Sequence, residues 1–203
     1  MGDPKKLRKK YETPSHPWSR IRIEEERILK KDYGLVNKKE IWRMGSLLKN
    51  FKAQVKKLSA INTQQAEKEK ANLLQRLRKI GLLSETSTLG DVLGLTTKDV
   101  MERRLQTLVY RKGFAKSVKQ ARQFITHKHI LVGDNKITAP SYIVSVAEED
   151  IISFSKNSPF SDAEHPELKS VKKVKAPSAA PKKDDRRRRD VRPKKRRQFN
   201  KEK

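Results

Sequence analysis

The chain has 203 residues, and its 50 Lys and Arg outweigh 24 Asp and Glu to leave a formal charge of +26. Charged residues make up 36% of it and apolar residues 34%, against roughly 25% charged in ordinary globular chains, so a core can form but cannot take in the whole chain. With no Cys there is no disulfide framework, thiol nucleophile or thiolate metal site. The longest apolar runs fall far short of the roughly 20 residues of a membrane span, and the start MGDPKKLRKK lacks the apolar core of a signal peptide. These features predict a soluble intracellular protein. Self-repulsion on this scale predicts a polyanionic partner, nucleic acid rather than membrane, because no basic amphipathic helix with an aromatic-rich apolar face is present.

Residues 1–37 read as a basic N-terminal extension. Within it His16, Pro17 and Trp18, followed by Arg20 and Arg22, form an aromatic and basic cluster in a loop, suited to stacking on an unpaired base. Trp18 fits equally well as a cover over the core. A helical region follows over 38–98. After Asn37, a good N-cap, apolar residues fall at Ile41, Met44, Leu48, Phe51, Val55 and Leu58, one face of a long helix. A second helix is predicted from Thr63 to Ile80, burying Leu73, Leu74, Leu77 and Ile80 and stopping at Gly81, which can take the left-handed cap conformation. Thr88 with Asp91 and Thr96 with Asp99 each have the capping-box spacing of a helix start.

Residues 99–155 form the next unit. From Asp99 to Arg111 the apolar positions Val100, Met101, Leu105, Leu108 and Val109 predict one helix, with Arg103, Gln106 and Tyr110 together on its outer side at 100° per residue. Gly113 ends it. Ser117 caps a further helix that turns Val118, Ala121, Phe124 and Ile125 inward and gathers Lys119, Arg122, Gln123 and Thr126 outside. Ile130 to Val132, a turn at Gly133, Asp134 and Asn135, then Lys136 and Ile137 predict a hairpin, with Gly and Asn supplying positive φ. Two more short strands are expected at Tyr142–Val146 and Ile151–Phe154, separated by an acidic turn at Glu148, Glu149 and Asp150. The fold class is α+β: a helical N-terminal region, then two helices and a small antiparallel sheet, of a size that can fold alone.

The final segment, 156–203, carries 18 basic and 7 acidic residues with almost no apolar periodicity, including Arg186, Arg187, Arg188 and Arg189. It reads as a basic tail that is disordered in isolation. It could serve as a solvating or nuclear-import tail; the basic body favours an arm that orders along RNA phosphates.

The run ERRLQTLVYRKGFAKSVKQARQFITHKHILVGDNKITAPSYIV, residues 102–144, closely resembles the RNA-binding domain named after small-subunit ribosomal protein four. Upstream, KKLRKKYETPSHPW, the pattern RIxxE at Arg22 to Glu26, YGLVNKKEIW and TLGDVLGLT resemble the archaeal and eukaryotic type of that ribosomal protein family. The resemblance covers about residues 1–155; the tail matches only in being basic. Family members often have Gly where Lys128 stands. Carried over by position, the family's RNA-facing surface falls on Arg103, Arg104, Gln106, Arg111, Lys112, Lys116, Ser117, Lys119, Gln120, Arg122, Gln123, His127 and Lys128. Arg forks suit phosphate oxygens and base stacking, while Gln and Ser suit phosphates, 2′-hydroxyls and exposed base edges.

His127 and His129, two apart, lack an acidic or thiol companion, so they read as RNA contact or hydrogen bonding at a helix end rather than as a metal site. No Gly-rich phosphate loop, paired carboxylates or Ser/His/Asp set appears. The expectation is therefore a non-enzyme that needs no cofactor or metal. The resemblance implies a primary binder of small-subunit ribosomal RNA in the cytoplasm. Such a protein nucleates the subunit body and, with ribosomal proteins five and twelve, influences decoding accuracy near the point where messenger RNA enters, which makes the messenger a further candidate partner. The alternative is a non-ribosomal RNA-binding module, the handle of an RNA-modifying enzyme or an RNA chaperone.

Overall fold

The computed structural model describes residues 9–161 and 165. Its spine is the long helix that the apolar spacing predicts. Helix α2, Lys38–Ser59, buries all six of the expected residues, and this one stripe serves two cores. Ile41, Met44 and Leu48 pack with Leu29, Leu35, Val100 and Met101. One to two turns further on, Phe51, Val55 and Leu58 pack with Leu73, Leu77 and Val92. Helix α3, Gln64–Ile80, returns beside it, capped by the Thr63 hydroxyl, which accepts from the Ala66 amide at 3.2 Å. Leu73 and Leu77 are buried as expected, while Leu74 and Ile80 are only half-buried. Both capping boxes form: Asp91 accepts from the Thr88 amide and Asp99 from the Thr96 amide, each at 2.7 Å, opening α4 (Leu89–Gly94) and α5 (Thr97–Glu102). Among the described residues no helix is long and apolar enough to cross a membrane.

Four expectations are corrected. The N-terminal cluster is a loop only at His16, Pro17 and Trp18, because Arg20 opens helix α1, Arg20–Asp32. Glu24 and Glu26 answer the two arginines at i+4, each at 3.0 Å, a helix-favouring pairing. The helix expected over Asp99–Arg111 is broken in two, α5 and α6 (Leu105–Arg111). Arg104 is extended, with φ −75° and ψ 140°, because Arg103 and Leu105 pair with the strand-like segment at Tyr142 to Val144: the Leu105 amide donates to the Tyr142 carbonyl at 2.8 Å and the Val144 amide to the Arg103 carbonyl at 3.0 Å. A long-range pairing has overridden a continuous apolar period, and the angles counted across the break no longer hold. The strand expected at Tyr142–Val146 is reduced to a single bridge between Arg104 and Ile143. The acidic turn after it is instead the short helix α8, Val146–Glu149, capped by Ser145.

Helix α7, Val118–Thr126, is capped by the Ser117 hydroxyl as predicted, and Ala121, Phe124 and Ile125 are buried. The sheet is antiparallel in the order β2 (Asn135–Lys136), β1 (Ile130–Val132), β3 (Ile152–Phe154). Leu131 faces Lys136, and Ile130 faces Phe154. At the turn Gly133 takes φ +61°, but Asn135 does not adopt positive φ. A third core of Leu105, Leu108, Val109, Phe124, Ile125, Ile130, Val144 and Ile152 closes this unit. Just after α7, Lys128 sits at φ +65°, a position that costs a side chain about 1–2 kcal/mol and explains why a Gly suits it.

Gly81 ends α3 at φ +78° and also lets that end meet the C-terminal unit. A Cβ there would lie 2.9 Å from Val146 Cγ2 and 3.1 Å from Arg103 Cζ. Gly81→Ala is therefore expected to cost about 2 kcal/mol or more, from backbone strain plus displaced neighbours. A urea melt checks this; a change under about 0.5 kcal/mol, the range of an ordinary surface substitution, would show that the neighbours yield freely.

Candidate nucleic-acid interface

The residues expected on one RNA face separate into three kinds. Arg104 and Gln106 are each only 1% exposed, so the outward orientation expected for them is corrected. The Gln106 amide donates to the Val118 carbonyl at 3.0 Å and to the Tyr33 and Gly34 carbonyls at 3.4 Å, tying α6 to α7 and to the end of α1. Arg104 is bound to Glu40 of α2, and Arg122 of α7 donates to the same carboxylate at 3.0 and 3.3 Å. Burial alone would push the Glu40 carboxyl up; the hydrogen bond from Arg104 and the charges of both guanidiniums more than reverse this and hold it below its ordinary value. Burial lowers the Arg104 guanidinium, with Glu40 pulling the other way, yet a guanidinium remains charged at neutral pH. Arg103 is also turned inward. Its side chain is 14% exposed and donates to Glu149 at 2.7 Å and to the Val144 carbonyl at 3.3 Å. The outer side expected for Arg103, Gln106 and Tyr110 is thus mostly an inner contact surface.

Others of the set are exposed but paired. Arg111 is bound to Glu102, and Lys112 to the Glu149 carbonyl and, at 3.6 Å, to Asp150. In the N-terminal cluster His16 is exposed, and Trp18 is 88% exposed, which removes its alternative role as a cover over the core. Arg20 points to solvent beside Glu24. Arg22 instead joins Trp42, at 2.8 Å, and Lys38, at 3.2 Å, on the buried carboxylate of Glu26. Arg186, Arg187, Arg188 and Arg189 lie outside the described residues.

The remaining residues do come together. Lys116, Ser117, Lys119, Gln120, Gln123 and His127 line one groove of about 620 Å³ along α7. The cap that starts α7 shapes its rim: Ser117 Oγ accepts from the Gln120 amide at 3.2 Å and Gln120 Oε1 from the Lys116 amide at 2.7 Å. Lys116, Lys119, Gln123 and His127 are exposed, as is Lys128 beyond them. Aromatic residues form the groove's inner wall, Phe124, His129 and Phe160. His129 shares a 2.9 Å hydrogen bond with Ser158, and burial, with His127 beside it, lowers its pKa. Among the described residues no three His, Asp or Glu side chains gather as a metal site would require.

Sequence reasoning missed Glu40, Glu26 and Phe160. The only local sign of Glu40 was a lone carboxylate among Lys38, Lys39 and Arg43; its partners lie 64 and 82 positions away, beyond any periodic signal. Phe160 lay inside the segment read as a featureless tail.

A two-helix unit closed by a small sheet, with cations and amides along its second helix, defines the class: a protein built around an S4 domain, whose family model matches residues 103–152. The similarity extends well beyond that unit. The chain is 51% identical over 168 residues to small ribosomal subunit protein uS4 of Methanococcus maripaludis strain C6, covering 82% of this chain and 94% of that one. It is 53% identical over 168 residues to uS4 of Methanococcus aeolicus, at 82% and 95% coverage. The chain belongs to the uS4 family of small ribosomal subunit proteins, a structural and non-enzymatic family.

The Glu40 pairs have a pH signature. Because the folded carboxyl lies below its ordinary value of 4.5, the stability it contributes is complete above that value and is lost as pH falls through the lowered one. Glu40→Ala, which leaves the buried Arg104 unpaired, is expected to cost about 3 kcal/mol at pH 7. In urea melts the gap to the wild type should narrow progressively as pH falls below 4.5; a gap independent of pH would show that the carboxylate charge is not what Arg104 needs.

Proposed function

We propose that this chain is a structural constituent of the small ribosomal subunit and a primary binder of its ribosomal RNA, nucleating the subunit body during assembly. The observation that carries the reading is the extent of the identity with uS4, about half of all positions over 82% of the chain. It takes in the helical region as well as the S4 domain. A shared RNA-binding handle on an otherwise unrelated enzyme would match over the handle alone. Exposed cations along α7 can replace counterions on phosphates, while the rigid cores fix where those cations point, which a disordered basic chain cannot do.

The finer roles rest on the family resemblance. Placement beside ribosomal proteins five and twelve, an influence on decoding accuracy near the incoming messenger RNA, and a cytoplasmic location within the subunit belong to the same proposal. The proposed RNA-facing residues are Lys116, Ser117, Lys119, Gln120, Gln123, His127 and Lys128, with His16, Trp18 and Arg20 as a second contact and the arginine run at 186–189 as a third. Arg103, Arg104, Gln106, Arg111, Lys112, Arg22 and Arg122 support that surface through their internal partners, and any of their donors still accessible to RNA act from those fixed positions.

Sedimentation tests the proposal. From a lysate fractionated at high salt, the protein is expected to travel with the small subunit. Recovery only in the soluble fraction would contradict a ribosomal role and favour a free RNA chaperone.

A further inference from the structure

Phosphate binding accounts for the lysines of the α7 groove but not for its inner wall. That wall is aromatic. Phe160 lies 4.5 Å from Phe124, centroid to centroid, and meets His129 edge-on at 5.1 Å. His165 adds a fourth ring, 4.8 Å from Phe160. Phe160 belongs to the turn Pro159–Ser161, beyond residue 152 where the S4-domain match ends, so Phe160 and His165 are added by the following segment to the Phe124 and His129 of the domain. The segment is firmly held. The Ser155 amide donates to the His129 carbonyl at 2.8 Å, and Ser158 Oγ is bonded both to His129 Nδ1, at 2.9 Å, and to the Phe160 amide, at 3.2 Å.

The two chemistries are arranged so that one ligand can use both. A paired duplex offers phosphates and groove edges but keeps its base faces stacked inside, and a concave aromatic wall is of no use to it. An unstacked nucleotide offers a phosphate and a free π-face together. We propose that the groove takes a single unpaired nucleobase of RNA, stacked against Phe160, with its flanking phosphates on Lys116 and Lys119 and its edge toward the amide of Gln123. The inference rests on the RNA-binding role proposed above and adds to it a specific structural target, an extruded base beside a helix. It assigns the segment Ser155–Ser161 to recognition rather than to a linker.

The test uses the full chain and three RNA hairpins with the same stem: one fully paired, one with a single bulged adenosine, one with a bulged abasic residue that keeps the bend but has no base. In fluorescence-anisotropy titrations the adenosine bulge should bind at least about fivefold more tightly than the abasic one. Phe160→Leu, which keeps apolar volume without a π-face, should abolish that difference, so that both bulges bind alike; Phe160→Trp should retain it. Equal affinity for the two bulges, or a preference that survives Phe160→Leu, overturns the base pocket. Failure of the wild type to bind any of the three hairpins would contradict the RNA-binding role itself.

Discussion

Of the contacts that join the two halves of the described structure, one carboxylate receives two arginines. Glu40 stands in the first turn of α2, the helix that threads the two N-terminal cores, and receives Arg104 from the junction of α5 and α6 and Arg122 from α7. Arg104 is buried, and a guanidinium removed from water without a counter-charge would cost several kcal/mol. The pairing therefore fixes more than a contact. It dictates that α7, with Lys119 and the flanking Lys116, is presented in one orientation relative to α2. The helix break at Arg103 and Arg104 serves the same end, because an unbroken helix would not bring Arg104 to Glu40 and Gln106 to the Val118 carbonyl together.

This divides the positive charge by task. Arg22, Arg103, Arg104, Arg111 and Arg122 are each matched to a named carboxylate, and two of them, Arg104 and Arg122, draw the N-terminal and C-terminal units together through Glu40. Lys116, Lys119 and Lys128 stand exposed on one side. The choice of residue type follows from the chemistry. The planar fork of Arg satisfies several acceptors in a partly buried site, whereas Lys, a mobile and strongly hydrated point charge, suits a surface that meets phosphates. The net charge of +26 thus describes only the excess left over after an internal framework of ion pairs has been built.

Local rules made much of the fold legible. The apolar stripe of α2, the Gly81 stop, both capping boxes and the Ser117 cap depend on residues within a turn or two of one another, and each is present. What escaped depends on partners far along the chain or on weak periodicity. Helix α1 buries only Glu26 and Leu29 of its 13 residues, too narrow a stripe to register, though its Arg–Glu pairs at i, i+4 were a usable sign. The break at Arg104 requires the segment near Tyr142, far along the chain, and no count of angles along the helix could reveal it. The candidate site followed the same pattern. Lys119 and Gln123 follow the helical phase of α7 and are exposed, whereas Arg122, assigned to the same side, is drawn to Glu40; Gln106 is misplaced because its phase runs through the break, Arg104 rests on the family resemblance alone, and Phe160 is masked by the basic composition around it.

Arginines that hold the structure and lysines proposed to meet the RNA form a division of labour. It is tested most directly by measuring thermal stability and the salt dependence of small-subunit RNA binding side by side for two variants, Lys116→Ala/Lys119→Ala and Arg104→Met. The account predicts that the lysine pair leaves melting unchanged and lowers the slope of log affinity against log salt by roughly 0.7–0.9 for each phosphate no longer neutralised. For Arg104→Met it predicts reduced stability with the slope of the folded protein unchanged. An unaltered slope in the lysine variant, or a reduced slope in Arg104→Met with stability intact, would contradict it.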